Sequence, residues 1–170
     1  MEVILAADIG TTGLKLVAVD AHGHICAEMV EGYPVDPKLQ KGGTAHPDTW
    51  WDAFCNGLKT VLGQLSPEKI SREIKIAAVA LTGQMQNLIL LGNDDKPTAP
   101  AIVYSDARAE KEAKACEAMY GGPQYLKRAL GNWKGGFSIL PKAMWVRDHW
   151  RERWAKTTKI LLGAHSYVAM

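Results

Sequence analysis

The chain has 170 residues, 47% of them hydrophobic and 22% charged, with 20 Lys and Arg against 18 Asp and Glu for a formal net charge of +2. That composition fits one ordinary globular domain and excludes disordered, collagen-like and strongly basic nucleic-acid-binding chains. No apolar stretch approaches the roughly 20 residues of a membrane helix, and Glu2 stands where a signal peptide carries Lys or Arg, so the expectation is a cytoplasmic protein with neither membrane nor nucleic acid as partner.

Residues 3–9 are nearly all apolar and predict a strand buried on both faces. Residues 14–20 alternate, with Leu14, Leu16 and Ala18 on one side, and 25–30 alternate again with Glu28 outward. Asp20-Ala21-His22-Gly23 has turn chemistry, Asp first and Gly fourth, so the three segments predict an antiparallel meander. Residues 33–47 read as a loop. Trp50, Trp51, Phe54, Leu58, Val61, Leu62 and Leu65 then recur at helical steps, with Pro47 in the first turn and Asp48 and Asp52 near the positive end of the helix dipole.

Ser66-Pro67-Glu68 breaks and restarts the chain. Residues 74–82 predict a second buried strand, and 87–91 and 102–104 predict shorter strands around an Asn93-Asp94-Asp95 turn. From Ala107 onward the reading is helical, broken at 121–123, 131–132 and 135–136, with a short strand at 159–162. Residues 164–170 open a helix with no stop signal, so the expectation is a fragment cut inside an element.

Three segments carry chemistry. In Asp8-Ile9-Gly10-Thr11-Thr12-Gly13-Leu14-Lys15, a glycine-rich turn between strands lets backbone N–H groups approach phosphate oxygens. Thr11 and Thr12 add hydroxyls and Lys15 adds charge. Asp8, at a strand end, suits Mg²⁺ held through its water shell. The motif matches neither G-x-x-x-x-G-K-[ST] nor G-x-G-x-x-G. Those lead into helices, whereas alternation follows here. On these residues alone, an ordinary glycine hairpin fits equally well.

Thr82-Gly83-Gln84-Met85-Gln86-Asn87 follows a strand, where ligand contacts gather in α/β folds. Its amides suit hydroxyl-rich ligands, or simply make a polar loop. Val103-Tyr104-Ser105-Asp106-Ala107-Arg108 sets an aromatic ring beside a carboxylate and a guanidinium, as a sugar platform would. The alternative is that Asp106 caps the next helix and Arg108 is solvated.

Read in order, these segments resemble the FGGY carbohydrate kinases of the actin and hexokinase superfamily, and most closely the xylulokinase branch. Pro47-Asp48-Thr49-Trp50-Trp51, Gly131-Asn132, Pro141-Lys142-Ala143-Met144-Trp145-Val146 and Ile160-Leu161-Leu162-Gly163-Ala164-His165-Ser166-Tyr167 continue the resemblance along essentially the whole chain. It implies an α/β RNase H-like fold, with a mixed sheet flanked by helices. It also implies an N-terminal sugar kinase domain over 1–170, and transfer of the ATP γ-phosphoryl group to a hydroxyl of a pentulose or related sugar, xylulose first.

By the same resemblance, Asp8 acts on the Mg–ATP side. Gly10, Thr11, Thr12 and Lys15 face the phosphates, and Gln84, Met85, Gln86, Tyr104 and Asp106 contact the sugar. Similar xylulokinases usually carry His where this chain has Gln86. Family members are roughly three times this length, and their catalytic-base Asp and adenine-binding motif lie beyond this region, so no base is assigned within 1–170. The chain alone is expected to be inactive, and a homodimer of the full protein stays open.

A non-catalytic actin-like nucleotide-binding or assembly domain is the rival reading. An RNase H-type nuclease is disfavoured, because the strand at 74–82 supplies no acidic ligand. His22 and His24 read as solvated turn residues, with similarly weak metal cases for His46 and His149, and His165 as a helix residue. Cys26 and Cys55 read as core; with Cys116 they are too far apart for a disulfide framework or a C-x-x-C zinc pair. Residues 145–154 read as an amphipathic surface helix rather than a single-strand nucleic-acid binder.

Overall fold

The computed structural model describes residues 1–34, 43–65 and 73–170. In chain order the strands are β1 (Glu2–Ile9), β2 (Gly13–Asp20), β3 (Ile25–Gly32), β4 (Thr44–Ala45), β5 (Lys75–Gly83), β6 (Met85–Leu91), β7 (Ala101–Ile102) and β8 (Lys159–Gly163). The helices are α1 (Pro47–Gln64), α2 (Glu110–Met119), α3 (Pro123–Leu130), α4 (Ile139–His149), α5 (Arg151–Ala155) and α6 (Ala164–Val168), with a 3₁₀ turn at Gly135–Phe137. The predicted restart at Ser66-Pro67-Glu68 and most of the 33–47 loop lie outside the described residues.

These elements form two compact units. The first holds a four-stranded sheet of order β3-β2-β1-β5. β1, β2 and β3 make the expected antiparallel meander, and β5 runs parallel to β1. Alternate residues fill the core: Val3, Leu5, Ala7 and Ile9 from β1, and Leu14, Leu16 and Ala18 from β2. Helix α1 covers this face with Trp50, Ala53, Gly57 and Val61. Gly57 allows the close approach, since a Cβ there would meet the Leu14 side chain at 3.0 Å. At the helix end, the Gln64 amide exchanges hydrogen bonds of 3.1 and 3.0 Å with the Glu28 backbone and ties α1 to the edge strand β3.

Two expectations need correction here. β1 is buried on one face only, and Ile4 on the other is 47% exposed. β5 is not a buried strand: residues 75–80 are all exposed. β5 is the sheet edge and pairs with β1 alone among the described residues. An apolar sequence records affinity for a core, and a strand is buried only where a second layer covers it.

The second unit comprises 43–46 and Met85–Gly163 among the described residues. Its sheet has the order β4-β7-β6-β8, all antiparallel. Leu88, Leu90, Ala99, Ile102 and Val146 form its core, walled by Ile139, Ala143, Trp145, Trp150 and Trp154. The expected surface helix over 145–154 is interrupted at Trp150, where α4 ends and α5 begins, and both Trp150 and Trp154 pack against this core. Cys116 is buried, whereas Cys26 and Cys55, expected in the core, are half-buried.

Candidate functional site

In the first unit, β1 delivers Asp8 to the turn joining it to β2. Ile9 pairs with Leu14 across the turn, and the Gly10 N–H donates to the Gly13 carbonyl at 3.0 Å. Thr11, Thr12 and Lys15 are exposed there. The Tyr33 N–H donates to the Thr12 carbonyl at 3.0 Å and fixes the turn from the β3 side. Gln84 fixes it from β5: its backbone N–H donates to Ile9 at 2.9 Å and its side-chain amide to Gly10 at 3.1 Å. One N–H of the Gln84 side-chain amide is thus given to this turn. The Tyr33 hydroxyl is buried without a hydrogen-bond partner among the described residues, and burial, then the charge of Asp8, push its phenol upward. Asp8 is half-buried, and its carboxylate makes no hydrogen bond or ion pair among the described residues.

In the second unit, residues 103–106 form a turn held through several of its backbone groups. The Asp106 N–H donates to the Val103 carbonyl at 3.1 Å, and the Val103 N–H donates to Gly43 at 3.1 Å. The fully buried Asn87 side chain accepts the Tyr104 N–H at 2.9 Å. Tyr104 stands 40% exposed above this turn, and Met85 is 66% exposed at the start of β6. Gln86 takes a left-handed backbone with φ 61°, a conformation costing a non-glycine residue roughly 1–2 kcal/mol. It sits where the β6 and β8 register slips between Met85 and Ile89. Backbone strain of this kind gathers at ligand-binding positions.

Asp106 does not cap a helix, since α2 has no side-chain cap. Its carboxylate instead receives Arg108 as a fork, Nε to Oδ1 at 2.8 Å and Nη2 to Oδ2 at 2.9 Å, with the Arg108 N–H also on Oδ1 at 2.8 Å. Arg108 is not solvated: its guanidinium lies 4.9 Å from the Trp145 ring centre. Gly43, with φ +63°, abuts this carboxylate so closely that a Cβ would overlap it.

Sequence reasoning placed Asn87 and Arg108 in the two ligand-facing segments without assigning either a contact, and left Gly43 and Lys142 outside the site. Lys142 is fully buried, and its Nζ donates to Val103 at 2.8 Å, to Tyr104 at 3.4 Å and to Gln86 at 3.5 Å. Burial, opposed by Asp106 and reinforced by Arg108, brings its pKa down to about 8. One signal was available: Lys142 lies three residues after Ile139 and four before Val146, on the stripe that faces the core.

Among the described residues no group of three metal-ligating side chains occurs. The His24 ring lies 3.1 Å from Asp20 in the β2 to β3 turn, and His22 is exposed beside it.

The profile of the FGGY family of carbohydrate kinases, N-terminal domain, matches residues 3–170. The chain belongs to the FGGY family of carbohydrate kinases. Among its relatives, the xylulose kinase of Lactococcus lactis is 30% identical over 162 residues, which cover 95% of this chain and 31% of that protein. The ligand-bound xylulose kinase of Lactobacillus acidophilus superposes with a TM-score of 0.78 at 26% identity, covering 99% of this chain and 32% of that one. The gluconate kinase of the same species superposes with a TM-score of 0.77 at 26% identity, covering 98% and 32%. This FGGY chain therefore spans about a third of the length of the relatives it matches. Its fold is the RNase H-like α/β fold of the actin and hexokinase type, as expected. No helix among the described residues is long and apolar enough to cross a membrane.

Proposed function

We propose that residues 1–170 are the N-terminal domain of an ATP-dependent carbohydrate kinase that phosphorylates a neutral pentulose, D-xylulose first. The observation that carries this reading is the tethered 103–106 turn of a chain matched end to end by a sugar kinase family: exposed Tyr104 beside a fork-held Asp106. An aromatic face with a fixed carboxylate acceptor suits hydroxylated ligands. Met85 and Gln86, in the same unit as the turn, supply the remaining contacts. The alternative of an actin-like assembly domain gives no reason for such a platform.

Charge favours a neutral sugar over an aldonate. Both basic groups at the turn are already committed, Arg108 to the Asp106 carboxylate and Lys142 to three carbonyls. Gln86 contributes no charge. A carboxylate substrate would bring its negative charge beside Asp106 without a new cation to meet it.

Gly10, Thr11, Thr12 and Lys15 face the ATP phosphates. Mg²⁺ fits beside Asp8, because a single half-exposed carboxylate suits a cation that keeps several waters and takes its other ligands from phosphate. When bound, it neutralises charge on the phosphates, which is most of what phosphoryl transfer requires of its surroundings. The turn itself positions: Gln84 and Tyr33 hold it on either side.

A calorimetric titration of the 170-residue chain with D-xylulose, D-gluconate and glycerol tests the reading. Binding of D-xylulose well ahead of D-gluconate supports it, and binding of none of the three overturns it. Because no catalytic base is assigned within 1–170, the chain alone should release no ADP above background in a coupled assay; turnover would contradict that part.

A further inference from the structure

We propose that Lys142 is a positioning residue that sets the spacing between Gln86 and the 103–106 turn. The proposal rests on the sugar-site reading for its functional consequence and on geometry for its structural one.

The sheet by itself does not fix this spacing. β6 and β7 share a single register pair, Leu88 with Ile102. Beyond it, towards Gln86 on one strand and Val103 on the other, no further β6 and β7 pairing holds the segments. Lys142 and Asn87 take over there. Nζ bonds the carbonyls of Gln86, Val103 and Tyr104, and Asn87 takes the Tyr104 N–H. The peptides around Tyr104 are thus gripped from both sides.

A lysine with no exposed surface is a costly way to fill a core, and Met or Leu would fill it at lower cost. What Lys adds is three N–H donors on one atom, which match three acceptors on two segments. It forms no direct ion pair among the described residues. The charged groups that face it are Asp106, which favours its ammonium form, and Arg108, which opposes it. An ammonium chosen for stability alone would be expected against a carboxylate. This one is set against backbone, where it fixes shape. It also bonds the carbonyl of Gln86, a residue whose left-handed backbone needs outside support.

Lys142→Met keeps the volume and removes the donors. In the 170-residue chain, the Tyr104 and Asp106 amides should exchange at least ten-fold faster, while Leu88 and Ile102 amides keep their protection. The D-xylulose dissociation constant should rise at least ten-fold, and affinity for Mg–ATP should stay within two-fold. A folded Lys142→Met chain with unchanged Tyr104 exchange and unchanged D-xylulose affinity overturns the proposal. If that variant does not fold, the wild-type pH profile decides. Loss of one donor on deprotonation should weaken D-xylulose binding as pH rises through about 8, and constant affinity from pH 7 to about 9.5 overturns the proposal. If the wild-type chain binds no sugar, the sugar-site reading fails separately. Tyr104 exchange then decides: protection lost in Lys142→Met supports the positioning role, and protection retained overturns it.

Discussion

Gly83→Ala should pry β5 away from the β1 to β2 turn. A Cβ on Gly83 would lie 2.5 Å from the Ile9 carbonyl oxygen and 3.0 Å from the Ile9 Cβ. The first distance falls about 0.9 Å short of the 3.4 Å at which ordinary contact begins. The neighbour is backbone inside a parallel ladder, where Ile9 pairs with Gly83, so no flexible side chain can swing aside. Relief requires the strand ends to separate. That motion breaks the next two bonds along the chain, Gln84 N–H to Ile9 and Gln84 amide to Gly10.

Each bond contributes about 1 kcal/mol, and overpacking costs about 1–3 kcal/mol more. A loss of about 3–5 kcal/mol lowers the melting temperature of a chain this size by about 6–20 °C. The same motion releases Gly10, so Mg–ATP affinity should fall with stability. Gly63→Ala serves as the control. Gly63 lies in α1 with open space where its Cβ would go, and Ala there should stabilise by about 0.5–1 kcal/mol. Thermal melts followed by circular dichroism, with ATP titrations alongside, read both variants. A Gly83→Ala chain that melts within about 1 °C of wild type with undiminished ATP affinity would refute the packing argument.

Three further outcomes are expected. Arg108→Lys removes the fork on Asp106 and the stacking on Trp145, because an ammonium cannot reproduce planar bidentate geometry; D-xylulose affinity should drop by about ten-fold in calorimetry while the melt shifts little. Asp20 is held down to about 2, first by the His24 N–H, with the His22 N–H and the His24 ring adding to it; its folded value lies below the unfolded one, so its contribution is present above about pH 4 and is lost as pH falls from there towards 2, an acid-melt component that Asp20→Ala should abolish. Val79→Lys places a charge on the 52% exposed edge strand β5; the melt should move by less than about 1 kcal/mol, and any self-association of the chain seen by light scattering should diminish.

Much of this molecule is legible in its residues. The β1 to β3 meander follows from alternation plus an Asp-x-x-Gly turn, both local properties, and helix α1 follows from a seven-residue apolar stripe behind Pro47. The β1 to β2 turn was readable for the same reason, since its glycines and threonines are contiguous. What escaped reading is what depends on partners distant in sequence. The exposure of β5 depends on which layers lie over it, and Ile76 and Val79 look the same buried or bare. Arg108 could be solvated or forked, and only the position of Trp145 behind it decides. Lys142 hides best, because lysine in a helix ordinarily signals solvent, and the three carbonyls that hold it come from segments about 40 and 55 residues away.

Amide chemical-shift mapping on the 170-residue chain tests the central claim most directly, with D-xylulose and Mg–ATP titrated separately. The account predicts that the sugar moves the amides of Met85, Gln86, Tyr104 and Asp106, and that the nucleotide moves those of Gly10, Thr11, Thr12 and Lys15. A sugar titration that leaves residues 85–86 and 103–106 unmoved while the nucleotide binds at 10–15 would contradict the kinase reading and leave a nucleotide-binding domain without a sugar site.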